Sequence, residues 1–139
     1  MTIGTSYELP DGDDLAMKAE VLVEYEGPRV VLYRSPKVDR LGIVVEPGID
    51  PEHWILSRVS KMELEALASG SLPVRDIFSQ RETLRWLELD ARGKPLRART
   101  IRPLEIPSGM LPVKGALLPD TSRPRLIKLL HLRAAWTAA

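Results

Sequence analysis

Between Trp54 and Asp90 the chain passes from strand to helix and back to strand, and that passage constrains the fold more than any other stretch. Along 54-WILSRV-59, Trp54, Leu56 and Arg58 take one face of a strand and Ile55, Ser57 and Val59 the other, the half-alternation of a partly buried sheet. The pattern stops at Ser60. Ser60 followed three residues on by Glu63 is a capping box, in which the hydroxyl serves an orphan N–H at a helix start and Glu63 reaches back. Met62, Leu64, Leu67 and Ala68 then recur at helical spacing with Lys61, Glu63 and Glu65 toward water, until Gly70 offers the left-handed position that ends the helix. Pro73 fits the first turn of a second short helix, where Val74, Ile77 and Phe78 are spaced to cover a sheet. In 83-TLRWLEL-89 alternation returns, setting Leu84, Trp86 and Glu88 against Thr83, Arg85, Leu87 and Leu89.

Further strands are expected on both sides of this segment. In 19-AEVLVEY-25, Val21, Val23 and Tyr25 oppose Glu20, Leu22, Glu24 and Glu26, and a Gly27-Pro28 break leads to 29-RVVLYR-34, so the two runs read as a hairpin. Tyr25 and Tyr33 suit its rim, with the ring half covered and the hydroxyl near water. A third strand, 41-LGIVVE-46, ends at Pro47-Gly48. Asp90 to Gly93 is the strongest turn signal, joining 83–89 to 96-LRARTIR-102, with Leu96, Ala98, Thr100 and Arg102 on one face and Arg97, Arg99 and Ile101 on the other. No recurring helical crossover separates these runs. The expected fold class is therefore α+β: an antiparallel, mainly meandering sheet with a short central helical segment packed on one face.

Residues 1–14, broken by Pro10, Gly12 and the acids Asp11, Asp13 and Asp14, are expected to form a loosely ordered N-terminal segment, and 15–139 a single α+β domain. From about residue 103 the prolines Pro103, Pro107, Pro112, Pro119 and Pro124 preclude a long regular element. The leucines and valine among them argue equally against disorder, so an irregular wrap or a docking arm is expected there. Residues 125-RLIKLLHLRAAW-136 favour a short helix over an edge strand. With 139 residues, 44% of them apolar, one core is the expectation. The absence of a basic start followed by an apolar run, and of any apolar run long enough to cross a bilayer, gives a cytoplasmic location and no membrane partner as expectations. Having no cysteine excludes disulfide and thiolate chemistry within the chain.

Charge is unevenly placed: residues 1–90 carry a formal −7 and residues 91–139 a formal +8. The halves either pack as complementary surfaces or leave the basic one facing an acidic partner or nucleic acid. Arg92, Lys94, Arg97, Arg99 and Arg102 concentrate five cations in eleven residues, without a recognition helix or an RNA-binding motif beside them. Phosphate loops, dinucleotide-binding turns, HExxH, calcium loops and zinc spacings do not occur. His53 near Asp50 and Glu52 is more simply a structural histidine than a ligand, and His131 a helix-end surface residue. Ser57, Ser60, Ser69 and Ser71 lack the neighbours of a strained nucleophile turn, and Trp54 and Trp86 read first as core. No catalytic residue, metal ligand or cofactor is expected.

Tyr25, Gly27-Pro28, the strand around Trp54 and the runs Glu63-Leu64, Gly70-Ser71-Leu72 and Arg75-Asp76 together resemble small bacterial domains of unknown function, which open on a Tyr-x-Gly-Pro hairpin and set a short central helix before a further strand. The resemblance covers residues 20 to 90, implies a compact α+β bacterial module, and brings no catalytic residue with it. The expected function is a non-enzymatic protein-interaction or accessory module, self-association included, whose partner is a second copy or an acidic protein. Arg97, Arg99, Arg102, Arg125 and Lys128 would orient that partner, and Leu117, Leu118, Leu126, Leu129 and Leu130 would anchor it. Two alternatives stand beside it: the leucines close this chain's own core, or the basic half binds nucleic acid.

Overall fold

The computed structural model describes residues 7–8, 14–15, 18–24, 28–34, 38–45, 51–92 and 95–138, with side chains over 20–24, 29–34, 38–45, 51–92 and 95–131. Two short strands, β1 (Tyr7–Glu8) and β2 (Asp14–Leu15), pair antiparallel. The main sheet runs β3 (Lys18–Glu24), β4 (Pro28–Arg34), β5 (Asp39–Val45), β6 (Glu52–Val59), β7 (Leu84–Leu89) and β8 (Pro95–Ile101). Its spatial order is its sequence order and all neighbours are antiparallel, so the sheet is an open six-stranded meander and the protein is α+β. Helices α1 (Lys61–Ser69) and α2 (Val74–Ser79) interrupt it between β6 and β7. After β8 come two short 3-10 turns, Pro103–Glu105 and Ser108–Met110, and then α3 (Arg123–Ala138). None of the described helices is long and apolar enough to cross a membrane.

Both faces of the sheet are apolar. One cluster joins Leu32, Leu41, Ile43, Ile55 and Leu84 of the strands to Leu64 and Leu67 of α1, Ile77 and Phe78 of α2, Leu126 of α3, and Ile106 and Leu118 of the proline-rich segment. The other, Val31, Tyr33, Trp54, Leu56, Leu87 and Leu89, is made of strand residues alone. Alternation in β6 and β7 sends Ile55 and Val59, and Leu84 and Trp86, to the first cluster, and Trp54 and Leu56, and Leu87 and Leu89, to the second. Gly42 belongs to the crowded second face: a Cβ there would lie 2.7 Å from Leu56 Cδ2 and 3.0 Å from Tyr33 Cε2. The tyrosine expected at a rim is thus a core residue, because its row on β4 faces Gly42 and Arg40 on β5 and is roofed by its neighbours. Tyr25 and Gly27 lie outside the described residues.

Strict alternation also misplaces Leu22. The β3–β4 register passes from Val21↔Val31 to Val23↔Val30, so Leu22 is the additional residue of a bulge and joins Val23 at the first cluster. A bulged residue has no opposite partner in the ladder. The Leu22 carbonyl instead accepts a buried hydrogen bond of 2.5 Å from the Ser122 hydroxyl, which fastens the start of α3 to β3.

The helix ends follow the sequence. Ser60 Oγ accepts the Glu63 N–H at 3.1 Å and Glu63 Oε1 accepts the Ser60 N–H at 2.9 Å, completing the capping box, and Gly70 closes α1 in the left-handed region at φ 77°. Met62 departs from the expected stripe and is 80% exposed, since Leu64, Leu67 and Ala68 already fill the buried side of so short a helix. Pro73, expected in the first turn of α2, stands at its cap, one position before Val74. The proline-rich segment is held to α2 by three hydrogen bonds: Val74 N–H to the Ala116 carbonyl at 3.0 Å, Arg75 Nη1 to the Pro112 carbonyl at 3.1 Å, and Arg75 Nη2 to Ser108 Oγ at 2.8 Å. The first of these satisfies a donor that a helix start leaves without an internal partner.

Candidate functional site

Antiparallel pairing assembles the site across β6, β7 and β8. Asp90 Oδ1 accepts the Arg92 N–H at 2.8 Å in the turn that follows β7, while Gly93 and Lys94 lie outside the described residues. From that turn the register sets Arg97 opposite Glu88 and Arg99 opposite Trp86, and it sets Glu88 and Trp86 opposite His53 and Ile55. Two parallel rows result, His53–Glu88–Arg97 and Ile55–Trp86–Arg99. In the first, the Glu88 carboxylate stands 3.2 Å from Arg97 Nε and 3.9 Å from His53 Nε2, the latter an ion pair only when the imidazole is protonated. In the second, the Arg99 guanidinium carbon lies 5.6 Å from the centroid of the Trp86 ring, close enough for a cation–π attraction of about 0.5–2 kcal/mol. His53 leans on the same indole, with ring centroids 5.3 Å apart.

Glu88 is mostly covered, whereas the Arg97 side chain remains 75% exposed. The carboxylate therefore orients Arg97 without consuming it: one oxygen contact leaves the rest of a five-donor guanidinium to a partner. Arg102, just past β8, has its Nε 3.4 Å from Glu105 and is likewise exposed.

The other sequence-proposed residues lie elsewhere. Arg125 Nη2 is 3.4 Å from Glu20 on β3, the far edge of the sheet from β8. Five strand spacings separate the two edges, roughly 24 Å measured along the sheet, so Arg97, Arg99 and Arg102 do not form one patch with Arg125 and Lys128. Lys128 is exposed on α3. Leu118 and Leu126 are buried in the first cluster, Leu129 and Leu130 pack half-buried against it, and Leu117 is exposed. Burial takes Leu118 and Leu126 away from any surface, because both join the cluster that also holds Leu64 and Leu67 of α1, while Leu104, Val113, Leu117 and Ile127 of the same stretch stay exposed.

Hydroxyls and acids considered for chemistry have structural employment. Ser57 Oγ is buried and donates to the Ile77 carbonyl at 2.8 Å, and Ser69 and Ser71 bond each other and the Ala66 carbonyl beside the α1 terminus. Glu52 accepts the Trp54 indole N–H at 2.6 Å. Asp50 lies outside the described residues, and among those described no three histidine, aspartate or glutamate side chains gather as a metal site would need.

A second group of cations went unnoticed in the sequence because it comes from four separate runs. Arg40, Arg58, Arg81 and Arg85, with Glu82, Thr83, Thr100, Leu56 and Leu84, line a cleft of about 360 Å³. Arg40↔Arg58 and Leu56↔Arg85 are cross-strand pairs, and Arg85 is paired in turn with Thr100, so only the register reveals the grouping. Its wall is braced. Arg81 Nη2 meets both carboxylate oxygens of Glu63 at 2.5 Å, and Arg81 Nε and Nη2 reach the Arg58 carbonyl at 3.1 and 2.9 Å. Burial alone would raise the Glu63 pKa, but the hydrogen bonds from Arg81 and from the Ser60 backbone, with the Arg81 charge, outweigh it and hold the carboxyl below its ordinary 4.5.

Comparison with known proteins adds no relative: no family model matches the chain, and no curated protein or solved structure matches it. The resemblance to small bacterial domains accordingly rests on its residues alone.

Proposed function

We propose that the protein is a non-enzymatic interaction module of the bacterial cytoplasm that binds an acidic protein segment along β8, the sheet being stiffened by α1 and α2 packed on one face. The observation that carries this reading is that β8 is an edge strand exposing Leu96, Arg97, Arg99 and Thr100 in one short run. An edge strand offers unpaired main-chain donors and acceptors to an added strand, and its alternate side chains then select which strand is accepted. A second copy of β8 would bring arginine against arginine, and like charges directly opposite each other are destabilising. An acidic strand reverses that sign, which favours a heterologous acidic partner over self-pairing at this edge. Leu104 follows within a few residues and is 97% exposed, an apolar contact that pure phosphate recognition would not call for.

Nucleic-acid binding is the second reading, favoured by Trp86 standing with Arg99 and His53 in an otherwise basic setting. Calorimetry separates the two. Wild type and an Arg97→Gln/Arg99→Gln variant are titrated with a poly-glutamate peptide, and with single-stranded RNA and DNA, at low and high salt. Circular dichroism checks the fold and light scattering the mass. The peptide is expected to bind wild type, and the double variant to lose more affinity at low salt than at high salt. A monomeric wild type that ignores the peptide but binds nucleic acid tightly, in a salt-sensitive manner lost in the variant, would put the second reading first.

A further inference from the structure

Two nitrogens converge on one carboxylate oxygen. Glu88 Oε2 lies 3.2 Å from Arg97 Nε and 3.9 Å from His53 Nε2, so the strands on either side of β7 both reach the same atom. An arginine is charged at any working pH, whereas histidine is the side chain whose ordinary titration falls between about pH 5 and 8. We infer that His53 is a proton-operated control on the β8 surface: once protonated, it draws the Glu88 carboxylate from Arg97 and strengthens the hold of β8 on an acidic segment. The inference rests on the β8 reading above and adds to it how that binding is regulated.

Charge and geometry act in the same direction. With a neutral imidazole the row His53–Glu88–Arg97 has no formal net charge, and with a protonated one it carries +1 beside Arg99 on the neighbouring row. The 3.9 Å separation is too long for a hydrogen bond, yet a shift of about 1 Å makes one. Because Glu88 is mostly covered, salt and water screen this contact less than a pair at the open surface. The Trp86 indole already holds the imidazole beside the carboxylate. Among the described residues Glu88 is the carboxylate in ion-pair reach of His53. From β5 the register brings Val45 opposite His53, and on β6 itself Glu52 alternates to the other face, where it accepts the Trp54 indole N–H. Helix α2 meets β6 at Ser57, about 13 Å further along the strand. The ionisable residues of that helix are Arg75, bonded to Pro112 and Ser108, and Asp76.

Calorimetry of wild type and His53→Gln with a poly-aspartate peptide, at one low salt concentration and from about pH 7.5 down to about pH 5.5, tests the inference, since aspartate carboxyls stay ionised over that range. Wild type is expected to bind roughly twofold to fivefold more tightly at the acid end, the contribution of one exposed charge pair, and His53→Gln to stay level. His131 is present in both proteins, so its titration cancels. Circular dichroism checks the fold of the variant. NMR of the two histidine rings gives a readout that needs no partner. The His53 signal, recognised as the one that survives His131→Gln, should titrate at lower pH in Glu88→Gln and at higher pH in Arg97→Gln. The same pH response of peptide binding in wild type and His53→Gln, or a His53 signal that neither Glu88→Gln nor Arg97→Gln moves, overturns this inference and leaves the β8 reading standing. A wild type that ignores the peptide at every pH overturns both.

Discussion

At the scale of single residues, Ser60 and Gly42 show two ways in which one position governs its surroundings. Ser60 completes a reciprocal cap, so Ser60→Ala is expected to lower the unfolding free energy by about 0.5–2 kcal/mol in urea titrations, leaving the strand content unchanged. Glu63 is both the other half of that cap and the anchor of Arg81. With its folded pKa below the unfolded value, its contribution to stability is complete above the unfolded pKa and disappears as pH falls through the lower, folded one. The stability difference between wild type and Glu63→Gln should therefore be constant near neutrality and shrink as pH is taken below about 4.5. A difference that grew on acidification would contradict the depressed pKa. Gly42 acts by absence. Its neighbours Leu56, Tyr33 and Trp54 are themselves buried and cannot retreat from an added methyl, so Gly42→Ala is expected to cost about 1–3 kcal/mol by thermal or chemical unfolding.

At the scale of elements, short-range signals proved legible where the chemistry is local. Alternation in 54–59 and 84–89, the Ser60–Glu63 cap and the Gly70 stop all read correctly, since each depends on residues at most a few positions apart. What the sequence concealed depends on register. The bulge at Leu22 leaves no mark in the composition of β3, Tyr33 is buried by strands that approach it only through pairing, and Arg40, Arg58 and Arg85 meet because three strands align. Met62 shows the converse, a residue with the right period that finds no surface to cover. The bulge also has a measurable consequence. Removing the Ser122 hydroxyl leaves the buried Leu22 carbonyl without its side-chain donor, so Ser122→Ala should cost about 1–3 kcal/mol, more than an exposed serine substitution such as Ser79→Ala. Equal small effects at both positions would mean that the Leu22 carbonyl is satisfied in another way.

At the scale of the molecule, the question is whether residues 103–138 are an appendage or part of the folding unit. Their charge is opposite to that of the remainder, and Arg125–Glu20 joins the two, yet an exposed pair of this kind contributes about 1 kcal/mol at most. Apolar burial is the larger effect. Ile106, Leu118 and Leu126 all lie in the cluster that also holds Ile55, Leu64 and Phe78, and loss of one such side chain from a core costs about 2–5 kcal/mol. Removing all three approaches the whole stability of an ordinary domain, about 5–15 kcal/mol, even before the Ser122–Leu22 and Arg75–Pro112 tethers are counted. A chain truncated after Arg102 is thus expected to lose its cooperative thermal transition or to associate through the uncovered cluster, as read by calorimetry and light scattering. A truncated chain that stays monomeric and melts as sharply as the full one would show that the proline-rich segment and α3 lie on the domain without belonging to it, and would restore Leu118 and Leu126 as residues available to a partner.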